Sequence, residues 1–155
     1  MAAYAASITH LDMCVGKLIK YLKDNGLYDN TLIVFSSDNG PAKEGGADPN
    51  YFNSSGVLKG RKRDLYEGGI RVPMIVGGWS KVSKGITSPH ISSFQDIMTT
   101  LADVSGKKLE KAQNTEGVSF YPTLIGKTKK QKKHDYLYWE FHENKTSDQA
   151  MLWGN

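Results

Sequence analysis

Asp38 and Asn39 stand side by side where an apolar run, TLIVF, gives way to SSDNG. A carboxylate and an amide oxygen at the carboxyl end of a strand can serve two chemistries. They can close a turn through an Asx hydrogen bond, or they can offer two oxygen ligands to a hard cation such as Ca²⁺, or alternatively Mg²⁺. Other chemistry-bearing residues are thinly spread. The one cysteine, Cys14, has no partner for a disulfide or a thiolate zinc site, and within its helical pattern it reads as a small core residue. Among the four histidines, His10 reads as a surface or capping residue, His90 follows Pro89 in a loop, and His134 closes a lysine run. His142, in WEFHE, is a candidate substrate contact, with an ordinary strand position as the alternative.

Positioning these residues requires regular elements, and the spacing supplies them. Tyr4, Ile8, Leu11, Val15, Leu18, Ile19 and Leu22 recur at three- and four-residue intervals, which predicts an amphipathic helix over about 2–25 closed by Asn25-Gly26. TLIVF is short, β-rich and unalternating, the pattern of a strand buried on both faces as in a parallel sheet covered by helices. From Gly40 to Glu67 glycine, proline, asparagine and charge predict a loop far longer than the usual connection of about 4–6 residues, and long loops at strand ends are where α/β proteins keep their sites. IRVPMIVGGW reads as a second strand, edge or irregular because of Pro73. SSFQDIMTTLADVSG predicts a helix with a serine N-cap, with Phe94, Ile97, Met98, Leu101 and Val104 on one face, and with Gly106 at its end. DYLYWEF alternates as a half-buried strand and reads as the last strand of the chain, opening a smaller sheet.

The composition narrows the function classes. The chain has 155 residues, 39% hydrophobic and 23% charged, enough for one real core but not two. No apolar stretch approaches the ~20 residues of a membrane helix. The net charge is +4, and LKGRKRD with GKTKKQKKHD holds nine of the twenty basic residues. Neither cluster carries interleaved aromatics for base stacking, so neither reads as a nucleic-acid surface, and the second reads as a solvated loop.

Two stretches taken together go further. FSSDNGP, followed about twenty residues later by LKGRKRDLYEGGIRVPMIV, resembles the sulfatase family of the alkaline-phosphatase superfamily. Leu58, Lys59, Gly60, Lys62, Tyr66, Glu67, Gly68, Gly69, Arg71, Val72 and Pro73 fall in register with the family pattern. The flanking segments and DYLYWEF resemble its C-terminal portion. The implied fold class is α/β: the C-terminal part of an alkaline-phosphatase-like sulfatase fold, a mixed sheet covered by helices, leading into a small C-terminal sheet subdomain. The boundary is expected at 1–106 for the catalytic part and 107–155 for the linker and the start of the subdomain.

The resemblance also implies roles. Asp38 and Asn39 become Ca²⁺ ligands that hold a sulfate oxygen. Lys62 becomes the catalytic lysine that contacts sulfate and neutralises charge developing on the ester oxygen, with His142 a further substrate-binding candidate. Arg61 and Arg63 fall at variable positions and read as loop charge, while Tyr66-Glu67-Gly68-Gly69 shapes the loop, its glycines permitting turns forbidden to side chains. The family's nucleophile is a formylglycine made from Cys or Ser in Cys/Ser-x-Pro-Ser-Arg, and this chain contains no such motif. The expectation is therefore a fragment of a sulfatase acting on sulfated small molecules or glycans, inactive alone, needing the N-terminal part of its parent and prone to self-association. The rivals are a related phosphodiesterase or phosphonate hydrolase, and a non-catalytic Ca²⁺- or sulfated-glycan-binding remnant. Intact relatives are usually periplasmic, secreted or lysosomal.

Overall fold

A computed structural model of the chain describes residues 2–109, 115–143 and 146–154. Its contacts gather into two compact units, Met1–Ser80 with Trp139–Ala150, and Lys81–Tyr138 with Met151–Asn155.

In the first unit, α1 spans Ala2–Asp24, as its spacing predicts. It stops where Gly26 turns left-handed (φ 66°) and Leu27 N–H reaches back to the Leu22 carbonyl at 2.8 Å. β1, Leu32–Ser36, pairs with β2, Met74–Gly78, in the register Leu32↔Gly78 to Ser36↔Met74. The pairing is antiparallel, which corrects the parallel reading of TLIVF, and Val34 and Phe35 are exposed, which corrects its burial on two faces. An unalternating apolar run states which surroundings a strand suits, without stating what covers it. β2 starts directly after Pro73, which lacks the N–H a ladder needs and whose carbonyl accepts a bond from Ser36 Oγ at 2.9 Å.

No residue of α1 is buried; Tyr4, Ile8, Leu11 and Leu18 on its apolar stripe are exposed, and so is Cys14, against the core position expected for it. The stripe is only partly covered: Val15, Ile19 and Leu22 are half-buried, and Tyr4 packs on Phe52 with ring centroids 5.3 Å apart. The buried positions of the unit are instead Gly40, Pro49, Gly68, Gly69, Gly78 and Trp79. Backbone packed on backbone forms its tightest part.

The second unit contains α3, Asp96–Ser105, and the single-turn α4, Tyr121–Leu124; α2 is the single turn Glu67–Ile70 of the first unit. α3 ends as expected on Gly106 (φ 68°), but its N-cap position is Gln95 with no side-chain bond, not a serine. The Asp96 carboxylate takes over the capping, accepting the Ser93 N–H at 2.7 Å. The buried face of α3 is also not the apolar one: Asp96 and Thr100 are buried, while Phe94, Met98 and Leu101 are exposed. Val82, Phe120, Leu124 and Leu137 supply the apolar core.

All of DYLYWEF but its first residue lies in β3, Tyr136–Glu143, and it alternates as expected, with Leu137 inward. It is not the last strand, because Thr146–Trp153 forms β4 and pairs with it in a second two-stranded sheet. TSDQAMLW is polar in its first half and apolar in its second, without the alternation of a half-buried strand, which hid it in the sequence. Among the described residues no helix is long and apolar enough to cross a membrane.

Candidate active site

The candidate residues leave β1 and enter a turn held by small side chains and by backbone. Ser37 Oγ donates to the Asn39 carbonyl at 2.8 Å, and Asn39 Nδ2 donates to the Gly40 carbonyl at 2.8 Å. Asn39 Oδ1 is left without a hydrogen-bond donor among the described residues. The exposed Asp38 carboxylate likewise accepts no bond and pairs with no cation among them, so the Asx bond required by the turn reading is missing. These are two adjacent oxygens, hard by chemistry and uncommitted by geometry, and that donor set fits part of an oxygen-preferring cation site. Among the described residues no group of three or more His, Cys, Asp or Glu comes together to complete one.

The turn is fastened to the loop that carries Lys62 by two backbone bonds, and a third closes the loop on itself. Gly40 N–H donates to the Gly69 carbonyl at 2.8 Å, Lys62 N–H to the Pro41 carbonyl at 3.1 Å, and Gly68 N–H to the Lys59 carbonyl at 2.7 Å. A Cβ on Gly40 would overlap the Gly68 carbonyl, one on Gly68 the Gly60 carbonyl, and one on Gly69 the Asp64 carbonyl. Gly68 and Gly69 lie in α2 and do not have positive φ. The reason for glycine in YEGG is therefore close approach, and not the forbidden turn that the sequence suggested. Asp38, Asn39 and Lys62, twenty-odd residues apart in sequence, are thereby brought onto one backbone frame.

Lys62 is half-buried and its Nζ faces Glu44 Oε2 at 3.8 Å. Glu44's own backbone N–H, followed by the positive charges of Lys62 and Arg63, holds its carboxyl below the ordinary carboxylate range. Arg63 is more than loose loop charge: its Nη1 lies 2.8 Å from Glu44 and its Nε 3.1 Å from Glu143, with the backbone left-handed at φ 79°. Two carboxylates and two cations form a small array in which Lys62 shares Glu44 with Arg63. Glu44 and Glu143 gave no signal in the sequence, since charge in a loop is ordinarily solvated. Lys59 Nζ sits 3.7 Å over the Tyr66 ring, and Arg71 pairs with Glu67 at 3.1 Å, fixing the ends of the loop.

His142 is exposed on β3, 3.9 Å from Glu140, and the structure shows no contact between it and Lys62. His10 makes a 3.5 Å contact to Cys14 on the surface of α1 and caps nothing. His134, at the end of a lysine run that reads as solvated, departs furthest from its sequence pattern. It is buried in the second unit, with Nε2 2.8 Å from Asp96 Oδ1.

Comparison with known proteins bears on this geometry. The family model described as Sulfatase matches residues 1–107. The chain is 32% identical to steryl-sulfatase of Mus musculus over 99% of its own length and 24% of the relative's. It is also 32% identical to arylsulfatase A of Homo sapiens, over 87% of this chain and 26% of that one. The chain thus spans about a quarter of the length of the curated relatives it matches. Among solved structures it superposes on Ps i-CgsB, crystallised in complex with k-i-k-neocarrahexaose, with a TM-score of 0.81 and 36% identity. That match covers 97% of this chain and 32% of the other. The PsFucS1 sulfatase from Pseudoalteromonas sp. follows with a TM-score of 0.72 and 25% identity, over 95% of this chain and 28% of its own.

Proposed function

The chain belongs to the sulfatase family, and from that premise we propose that it supplies the sulfate-holding half of a site that hydrolyses sulfate esters of sugars. One observation carries the reading: the glycine-on-backbone frame that ties the uncommitted oxygens of Asp38 and Asn39 to the loop presenting Lys62.

Asp38 and Asn39 would hold a divalent cation, Ca²⁺ before Mg²⁺, and that ion when bound supplies Lewis-acid polarisation of a sulfate oxygen. The rest falls to side chains of this chain. Lys62 offers an ammonium with three donors on a flexible stem, suited to a tetrahedral oxyanion. Its charge favours the ester oxygen as that atom gains negative charge when the S–O bond breaks. Glu44 restrains the lysine at 3.8 Å, too long for a strong hydrogen bond, so the donors remain available to substrate. Attack on sulfur is assigned to a formylglycine carried by a partner segment, since no Cys/Ser-x-Pro-Ser-Arg occurs here. A nucleophile-bearing N-terminal part of a sulfatase is accordingly the proposed macromolecular partner, and the exposed stripe of α1 with Val34 and Phe35 is apolar surface suited to it or to self-association.

The test joins this chain to a nucleophile-bearing sulfatase segment and measures turnover of a sulfated sugar. Lys62→Ala should lower turnover by roughly 10²–10³-fold, the size of losing one oxyanion donor. Turnover unchanged in that variant would overturn the assignment of Lys62.

A further inference from the structure

The loop from Pro49 to Asp64 borders an open cavity of about 300 Å³ that Asp38, Asn39 and Lys62 do not line. Asn50, Asn53, Ser54, Ser55, Arg61 and Asp64 are among the residues lining it. The size lies at the lower end of small-molecule sites, while the lining is polar where most such sites are apolar.

The backbone of this loop satisfies itself. Ser54 N–H donates to the Pro49 carbonyl, Gly56 N–H to Asn53, Leu58 N–H to Ser55, and Ser55 Oγ donates to the Gly60 carbonyl at 2.8 Å. The side chains of Asn50, Asn53 and Ser54 are left without hydrogen-bond partners among the described residues, and the Arg61 guanidinium has neither a hydrogen bond nor an ion pair among them. Asp64 is the other charged residue of the lining, and its Oδ2 already accepts the Arg61 backbone N–H at 2.9 Å. Two amides, a hydroxyl and the remaining Asp64 oxygen can exchange hydrogen bonds with sugar hydroxyls. A guanidinium in a fixed planar fork suits a sulfate or carboxylate, which it can grip through two parallel bonds.

We propose that this cavity is a second subsite for an anionic saccharide, in which Arg61 recognises a second sulfate or a uronate carboxylate on a sugar unit adjoining the ester held by Lys62. The proposal rests on the sulfate-ester reading of Lys62, the residue that follows Arg61 in the same loop. It makes Arg61 a specificity-determining residue and gives the substrate class as a multiply charged glycan.

Calorimetric titration of the 155-residue chain tests it with three galactose disaccharides: one with a single sulfate, one with a second sulfate on the adjoining unit, and one with a carboxylate in its place. At least one doubly charged probe should bind about tenfold more tightly than the singly charged one, a gain of one charge-assisted contact. Arg61→Gln should erase that gain and leave the singly charged probe within twofold of its original affinity, with thermal unfolding unchanged because Arg61 is exposed. Lys62→Ala should weaken all three probes. A gain absent from the native chain, or kept by Arg61→Gln, overturns the subsite. Singly charged binding untouched by Lys62→Ala overturns the sulfate-ester reading instead, and no binding of any probe overturns both.

Discussion

The two units of this chain treat polar groups in opposite ways. In the first, the backbone around Gly40, Gly68 and Gly69 is saturated with hydrogen bonds and the side chains it presents are not: the Asp38 carboxylate, Asn39 Oδ1 and the Arg61 guanidinium have no partners among the described residues. In the second, a carboxylate is wholly buried and wholly engaged. Asp96 accepts bonds from Ser93 N–H and Val118 N–H, each at 2.7 Å, and lies 2.8 Å from His134 Nε2. Thr100 extends the network, donating to the Asp96 carbonyl and accepting the Phe120 N–H. A rigid frame with unspent side chains is built to meet a ligand, whereas a buried and fully spent carboxylate specifies how its own unit packs.

The contrast breaks most visibly at Asp96. Removing the carboxylate in Asp96→Ala strands two amide N–H groups and a buried histidine, so unfolding free energy should fall by about 3–5 kcal/mol, the cost of breaking a buried polar pair. Chemical denaturation of the chain checks this. A loss within the range of an ordinary surface substitution would mean that Asp96 is not structural, and the division between spent and unspent groups would fail with it.

Next in size is the glycine frame. In Gly68→Ala the new methyl meets the carbonyls of Gly60 and Lys59, which belong to backbone and cannot rotate away. Overpacking of this kind costs about 1–3 kcal/mol, and here the displaced strand of loop is the one that carries Lys62. The expected result is a modest loss of stability together with a clear loss of sulfated-sugar binding in the calorimeter. Retained binding would separate the frame from the site and leave YEGG a purely structural motif.

These residues also show how far the sequence could be read. That Asp38 and Asn39 share a backbone frame with the Lys62 loop was legible because two motifs stood in register, and α1 and α3 were legible because periodicity and Gly26 or Gly106 marked their bodies and ends. The covering of surfaces was not legible. TLIVF and the stripe of α1 are apolar for an environment that the described residues provide only in part, so burial inferred from them was wrong at Val34, Phe35 and Cys14. The buried network was hidden for the converse reason: aspartate in a helix's first turn and histidine after lysines are ordinary surface patterns, and only a partner 38 positions away turned them inward. β4 was missed because its polar and apolar residues fall in two blocks and do not alternate, and Arg63 because its two carboxylates are distant in sequence.

The smallest effect sharpens the comparison inside the second unit itself, where one buried polar atom does not follow the rule. His90 Nε2 is enclosed with no hydrogen-bond partner among the described residues. Burial lowers the His90 pKa below its ordinary value near 6.5, and the charges of His134 and Lys133 push it the same way, while Asp96 opposes them. With the folded value depressed, the unfolded chain takes up a proton that the folded chain refuses as the pH drops below about 6.5. Stability from this residue is therefore fully present above the unfolded value and is lost as the pH falls toward the folded one. His90→Asn cannot titrate and should flatten that part of the slope. Urea midpoints at pH 7.5 and pH 5.5 measure the difference directly: the native chain should lose more on acidification than the variant. Equal losses in both would place His90 in contact with solvent or with a partner that holds its ring, and every buried polar group described in the second unit would then be satisfied.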